Sequence, residues 1–346
     1  NFVDADLAIL NGAPTFITLA DDGRRDYRVD LELPPSWQGV HSGMEPTGAT
    51  SFIARGYDEL VDSPLIAGVE LHESTFEVEG VKHHLVHLGD VSQWDTERVA
   101  DDVATLSQTI VDFWGVVPYE HYHFLNAVVG GGGGLEHLDS TLMVASPFGT
   151  RTEKSYDNWL GLVSHEFFHT WNVKRLRPVA LGPFDYENEN YTHSLWVAEG
   201  VTSYYDDLLM RRAGLISEKD YLGRLGGQIK ALQDTPGRKV QPLDRASFDA
   251  WIKHYRRDEN TNNTAISYYT KGAVVAFLLD AEIRRRSSGQ KSLDDLMRTM
   301  YARFAGDKGY SVEEFRATAS EVAGTDLGPF FQRAVDSTQE LDYEPA

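Results

Sequence analysis

The spacing of apolar residues changes along this chain, and each change predicts a different kind of element. Up to about residue 90, apolar and polar residues alternate in short runs, Thr15-Phe16-Ile17-Thr18-Leu19 and Tyr27-Arg28-Val29-Asp30-Leu31-Glu32-Leu33, the second stopped by Pro34-Pro35. Period-two alternation predicts strands. Thr75-Phe76-Glu77-Val78 and Leu85-Val86-His87-Leu88 lie on either side of Glu79-Gly80 and predict a β-hairpin. His83, His84 and His87 fall within it. Side chains alternate along a strand, so His84 and His87 point to opposite faces, and a solvated strand is expected there rather than a metal site.

From Asp95 the period lengthens: Val99, Val103, Leu106, Ile110 and Phe113 follow one another by three or four, with Gly115 just beyond. That is an amphipathic helix with a stop signal. Two strand-like runs follow, Tyr122 to Val129 and Thr141 to Ala145, with a glycine-rich segment between them. The rest reads mostly as helix, over about 192–213, 217–233, 265–287, 291–304 and 311–322. The whole is an α+β chain, β-rich first and helical later.

Chemistry enters at His165-Glu166-Phe167-Phe168-His169. On a helix, residues four apart share a face, so two imidazoles at this spacing can hold one zinc ion while Glu166 faces the water beside it. The implied reaction is metal-assisted hydrolysis. Trp159, Leu160, Leu162, Val163, Phe167, Phe168 and Trp171 surround the motif with apolar residues. Two histidines and a glutamate in so apolar a helix are costly to bury unless a metal and hydrogen bonds satisfy them.

Two histidines leave the site one protein ligand short. A pattern with Gly three and His six residues past the second histidine is excluded, since Asn172 and Arg175 stand there. A glutamate from a following helix is the remaining common solution, and Glu199, within Leu195-Trp196-Val197-Ala198-Glu199-Gly200-Val201, is favoured. His193 is the rival, in a more polar setting that reads as a helix start.

Composition narrows the field. With 346 residues there is room for two domains and a sizeable core. Cysteine is absent, so any metal must be held by His, Asp or Glu. The net charge of −21 argues against nucleic acid or an anionic membrane as partner and favours a cationic substrate. No apolar run approaches the length of a membrane span. The N-terminus has no basic or apolar leader and no initiator Met, so the chain reads as the inner part of a longer precursor, a soluble protein of the cytoplasm or periplasm.

His165 to Pro178 and Leu195 to Tyr205 resemble the glycyl aminopeptidase family of zinc metallopeptidases, and the similarity extends to Tyr191-Thr192, Pro236-Gly237-Arg238 and Ser292-Leu293-Asp294-Asp295. Its members are gluzincins. The resemblance implies a thermolysin-like zincin catalytic domain, a mixed β-sheet lobe plus a helical lobe, over residues 91–340, preceded by part of a β-rich N-terminal domain over 1–90. Residues 341–346 read as a linker toward the PDZ domain that usually follows in the family, and no PDZ-like segment lies in this chain.

Gly130-Gly131-Gly132-Gly133-Gly134-Leu135-Glu136-His137 is similar to the Gly-x-Met-Glu-Asn segment of the broader gluzincin aminopeptidases, whose glutamate binds the substrate's free amino group, with Leu135 in place of Met and His137 in place of Asn. Glu136 would supply the charge opposite an α-ammonium, and Gly133 and Gly134 would let a substrate backbone approach closely. Tyr268-Tyr269-Thr270-Lys271-Gly272 resembles their Tyr-x-Lys-Gly segment and selects Tyr269 as the catalytic tyrosine, with Tyr268 as fallback. The expectation is an aminopeptidase with one zinc ion on His165, His169 and Glu199, Glu166 as base, and a preference for small first residues such as Gly or Ala, acting on peptides with a free N-terminus. A thermolysin-type endopeptidase and a catalytically silent scaffold that binds peptide termini are the alternatives.

Overall fold

Glu79 and Gly80 both take positive φ, 50° and 74°, which a two-residue turn of the I′ type requires. Around them Leu71–Val78 and Val81–Gly89 pair antiparallel, as the sequence predicts. The computed structural model describes residues 1–20 and 24–344, so Pro345 and Ala346 of the expected linker lie outside the described residues. The chain falls into two compact units, Asn1–Thr170 and Trp171–Ala346.

In the first unit the hairpin continues into a five-stranded sheet. Its order is Gly133–Glu136, Ser140–Ala145, His121–Val128, Val81–Gly89 and Leu71–Val78, with the three inner strands parallel. Strands on both sides of residue 90 therefore share one sheet. Two smaller antiparallel sheets precede it: four strands built from Phe2–Val3, Leu7–Leu10, Leu65–Gly68 and Gly39–Ser42, and three from Tyr27–Asp30, Ser51–Ala54 and Glu45–Gly48. Ile66 of the four-stranded sheet packs with Val86, Leu88, Leu125 and Leu142 of the five-stranded one. The opposite face of the large sheet receives the helix Glu153–Phe168, through Phe167 against Tyr122 and Phe124.

Two sequence expectations fail here. Thr15 to Leu19 forms no strand. The amides of Thr15 and Phe16 both donate to the Gly12 carbonyl, and Ile17 and Leu19 are 92% and 65% exposed. Tyr27 to Leu33 stops as a strand at Asp30, ahead of Pro34-Pro35, which lack the amide donors that would extend the ladder.

The second failure concerns the histidines of Val81–Gly89. That strand lies inside the sheet rather than in water, and His83 and His87 are buried. His84 and His87 do point to opposite faces, as expected, since His83 and His87 share the face that meets the helix. His87 Nδ1 accepts from Asn126 Nδ2 at 2.8 Å, and Asn126 Oδ1 accepts from Trp159 Nε1 at 3.3 Å. Burial pushes the His87 imidazole down to about 4. An unfolded histidine titrates near 6.5, so between these values the unfolded chain binds more protons and stability rises with pH. The stabilisation is complete above about pH 6.5 and lost as pH falls toward 4, by about 3 kcal/mol for this one group. Urea unfolding at pH 7 and pH 4.5 is expected to show a fall in stability that shrinks in His87→Gln. An equal fall in both proteins would contradict this.

The helix predicted from Asp95 spans Thr96–Trp114, with the Asp95 side chain accepting from the Arg98 amide and Gly115 closing it at φ 70°. In the second unit the helices Glu218–Asp234, Tyr268–Arg286, Leu293–Phe304 and Val312–Ala323 follow the predicted spans, while the one predicted from about 192 becomes the α-helix Val201–Arg212 only after a π-helical turn at Trp196–Gly200. Leu293, Leu296, Met297 and Met300 supply the buried face of Leu293–Phe304. No helix among the described residues is long and apolar enough to cross a membrane.

Candidate active site

The motif helix begins at a capping box, Thr152 with Ser155, and buries Tyr156, Trp159, Leu160, Val163, Phe167 and Phe168. Phe167 meets the sheet and Phe168 meets Phe113 and Trp114 of the helix Thr96–Trp114, while His165 and His169 stand four residues apart at the end of the motif helix. Their rings lie 4.7 Å apart at 83°, as the four-residue spacing requires. Glu166 and His169 are 4% and 1% exposed.

The glycine-rich segment does not form a loose loop throughout. Gly133–Glu136 adds to Ser140–Ala145 as the edge strand of the large sheet, Gly134 opposite Met143 and Glu136 opposite Thr141. A Cβ on Gly134 would stand 2.3 Å from Glu166 Oε1. Glycine at 134 is therefore what lets the edge strand and the Glu166 carboxylate occupy adjacent space. Gly133 has φ 127°, a conformation that other residues rarely adopt. Glu136, Glu166 and His169 each offer a donor atom within 4.8 Å of the others. Two carboxylates at such separation repel, and a cation held beside them relieves the cost.

The second unit carries Glu199 and the tyrosines. Trp196–Gly200 is a π-helical turn that leads into the helix Val201–Arg212. Such turns arise where a local requirement overrides regular helix geometry, and they concentrate at functional positions. Buried Asn172 holds this one, its Nδ2 lying 3.0 Å from the Val197 carbonyl, 3.2 Å from that of Ala198 and 3.1 Å from Thr202 Oγ1. His193, the rival ligand, is engaged elsewhere: its ring stacks on Phe248 at 4.8 Å and its Nδ1 is 3.5 Å from Asp244.

Glu199 and Tyr269 are tied together by glycines. A Cβ on Gly200 would meet Gly272 Cα at 2.5 Å, and one on Gly272 would meet Gly200 Cα at 2.8 Å. The π turn and the helix Tyr268–Arg286 thus cross backbone to backbone. Burial first, then the Glu199 charge, raises the Tyr269 phenol well above its ordinary value.

Sequence reasoning missed two neighbours on Trp251 to Tyr255. Tyr255 Oη lies 3.2 Å from Tyr268 Oη and 3.5 Å from Tyr269 Oη, and the His254 ring packs 4.8 Å from Tyr268 and 5.7 Å from Tyr269. Only the density of aromatic residues in that segment hinted at them.

The mixed sheet with its motif helix, followed by a helical unit, is the fold of the thermolysin-like zincins. The chain belongs to the M61 glycyl aminopeptidase family, a family of metallopeptidases, which it matches over residues 158–275, with the family's N-terminal domain matched over residues 1–69. Among solved structures it is similar to an aminopeptidase N family protein of Idiomarina loihiensis, at 32% identity and a TM-score of 0.93, over 99% of this chain and 60% of that one. An M1 zinc metallopeptidase of Deinococcus radiodurans shares the fold at 16% identity, with a TM-score of 0.65 over 99% of this chain and 72% of that one. A mutant of that enzyme bound to a Tyr-Ser-Ala substrate also shares it at 16% identity, with a TM-score of 0.59 over 93% and 65%. The chain thus spans about 60% of the length of the Idiomarina protein. No curated protein matches it in sequence.

Proposed function

We propose that this chain is a zinc-dependent aminopeptidase that hydrolyses the first bond of peptides with a free N-terminus and releases small residues such as Gly or Ala. The observation that carries the reading is Glu136 on an open sheet edge, its carboxylate within 4.8 Å of donor atoms of Glu166 and His169. A carboxylate so near the hydrolytic motif suits a substrate's α-ammonium, which would fix the chain end and leave only the first peptide bond in reach. The preference for small residues rests on family likeness.

One zinc ion would be held by His165, His169 and Glu199, each of which can offer one ligand atom. Two imidazoles and a carboxylate, with no thiolate in the chain, are a donor set suited to catalytic zinc. When bound, zinc polarises the scissile carbonyl and makes water a nucleophile at neutral pH. Glu166 takes the proton of the attacking water and passes it to the leaving amine. Tyr269 donates a hydrogen bond to the developing oxyanion. Gly133 and Gly134, on the edge strand beside Glu166, would let the substrate backbone approach that strand closely.

The test compares alanine anilide with its N-acetylated form. The free amine is expected to react at least tenfold faster, and Glu136→Gln to lower kcat/KM for it by about 10–100-fold, the worth of a charge-assisted hydrogen bond. Equal rates on both substrates would instead favour an endopeptidase.

A further inference from the structure

Glu136 and His137 are neighbours at the end of the edge strand, yet their surroundings are opposite. The His137 amide donates to the Ser140 carbonyl at 2.9 Å, which carries the pairing one residue past Glu136. Successive side chains of a strand point to opposite faces. Glu136 stands with Glu166 and His169, so His137 belongs to the other face, where it is 3% exposed. There it meets Asp62, the residue that closes the short helix Tyr57–Val61. Asp62 Oδ1 accepts from His137 Nδ1 at 3.0 Å, and Asp62 Oδ2 accepts from the Leu138 amide at 2.8 Å. One side chain thus holds two consecutive residues of the turn that follows the strand. A carboxylate can only accept, so this contact sets a proton on Nδ1. His137 Nε2 is buried and has no hydrogen-bond partner among the described residues. The bond to Asp62 is therefore what an imidazole contributes at this buried position.

We infer that Asp62 and His137 are positioning residues for Glu136: their bond sets the register of the edge strand and so holds the Glu136 carboxylate where the substrate's α-ammonium binds. The inference rests on the aminopeptidase reading above. Gly130 to Gly134 have no side chains to select a register, and glycine-rich strands are prone to slip. A slip of one residue would turn Glu136 to the face that His137 now holds. The anchor at residue 137 opposes it, because the slip would leave a buried imidazole without its partner. The turn is seated from a second side as well. A Cβ on Gly43 would stand 2.8 Å from Ser140 Oγ, so the backbone there packs directly against the turn. Asp62 acts on the substrate through His137 and Glu136 in sequence.

The test measures alanine anilide and its N-acetylated form with the metal-containing enzyme, in the wild type and in Asp62→Asn. The amide keeps the size of the carboxylate but cannot accept at both positions. KM for the free amine is expected to rise about tenfold, the usual effect of losing a hydrogen bond to a charged group. Its kcat, and kcat/KM for the acetylated form, should stay near the wild-type values, so the preference for the free amine shrinks. Loss of folded protein alone would lower both substrates together and leave their ratio unchanged. In a Glu136→Gln background, Asp62→Asn should lower the ratio no further, because the residues act as a unit. A second pair of variants decides should Asp62→Asn fail to fold. His137→Asn keeps a nitrogen donor at the δ position and should keep the preference, whereas His137→Gln moves that nitrogen one bond outward and should lose it. A preference left intact by Asp62→Asn, a further fall in the Glu136→Gln background, or equal preference in His137→Asn and His137→Gln would overturn the inference and leave the aminopeptidase reading standing. Equal rates on both substrates in the wild type would overturn both.

Discussion

Glu166→Gln is expected to retain the metal and to lower kcat on a free alanine anilide by roughly 10²–10⁴-fold, the range a positioned general base contributes. The amide keeps the size and much of the hydrogen bonding of the carboxylate but takes up no proton at neutral pH. The environment makes the substitution informative. Glu166 is buried on a helix turn between the two histidines, and its carboxylate fills the space that a side chain at Gly134 would take. KM should change little, because Glu136 rather than Glu166 is assigned the substrate's amino end. Full activity with normal metal content would remove Glu166 as the base. Loss of metal together with activity would make it a ligand, with Glu136 and His169 as its companions.

Glu199→Ala should empty the zinc site. A catalytic zinc relies on three protein ligands, and loss of one is expected to cost more than the roughly 10–100-fold in affinity that loss of an outer partner costs. Metal analysis after dialysis is expected to find about one zinc per chain in the wild type and far less in the variant. The fold should survive, since the π turn is held by Asn172 through backbone carbonyls and by the contact of Gly200 with Gly272, neither of which needs the Glu199 side chain. Undiminished zinc in a folded Glu199→Ala protein would refute the third-ligand assignment.

Much of this was legible in the sequence because the signals are local. The His165 to His169 spacing fixes a helix face by itself, Glu79-Gly80 fixes a turn, and Asp95 with Gly115 brackets a helix by capping chemistry. Other features depend on residues far apart in the chain. Gly133–Glu136 becomes a strand only because Ser140–Ala145 presents an open edge, and five glycines in a row conceal that. His83 and His87 are buried because a parallel neighbour and a helix cover their strand, whereas the same alternation at Thr15 to Leu19 forms no strand and leaves Ile17 and Leu19 exposed. The Gly200 to Gly272 crossing and the approach of His254 and Tyr255 to Tyr269 join segments that sequence periodicity cannot relate. The glycine of Glu199-Gly200 and that of Lys271-Gly272 each look ordinary until the two helices are seen to touch there.

The motif helix is proposed to serve hydrolysis from peptide N-termini. The most direct measurement is mass spectrometry of the products from an unblocked decapeptide that begins with alanine, with and without a zinc chelator. Free alanine and the shortened peptide are expected as the first products, and the chelator is expected to abolish both. Internal fragments as first products, or cleavage that persists without metal, would contradict it.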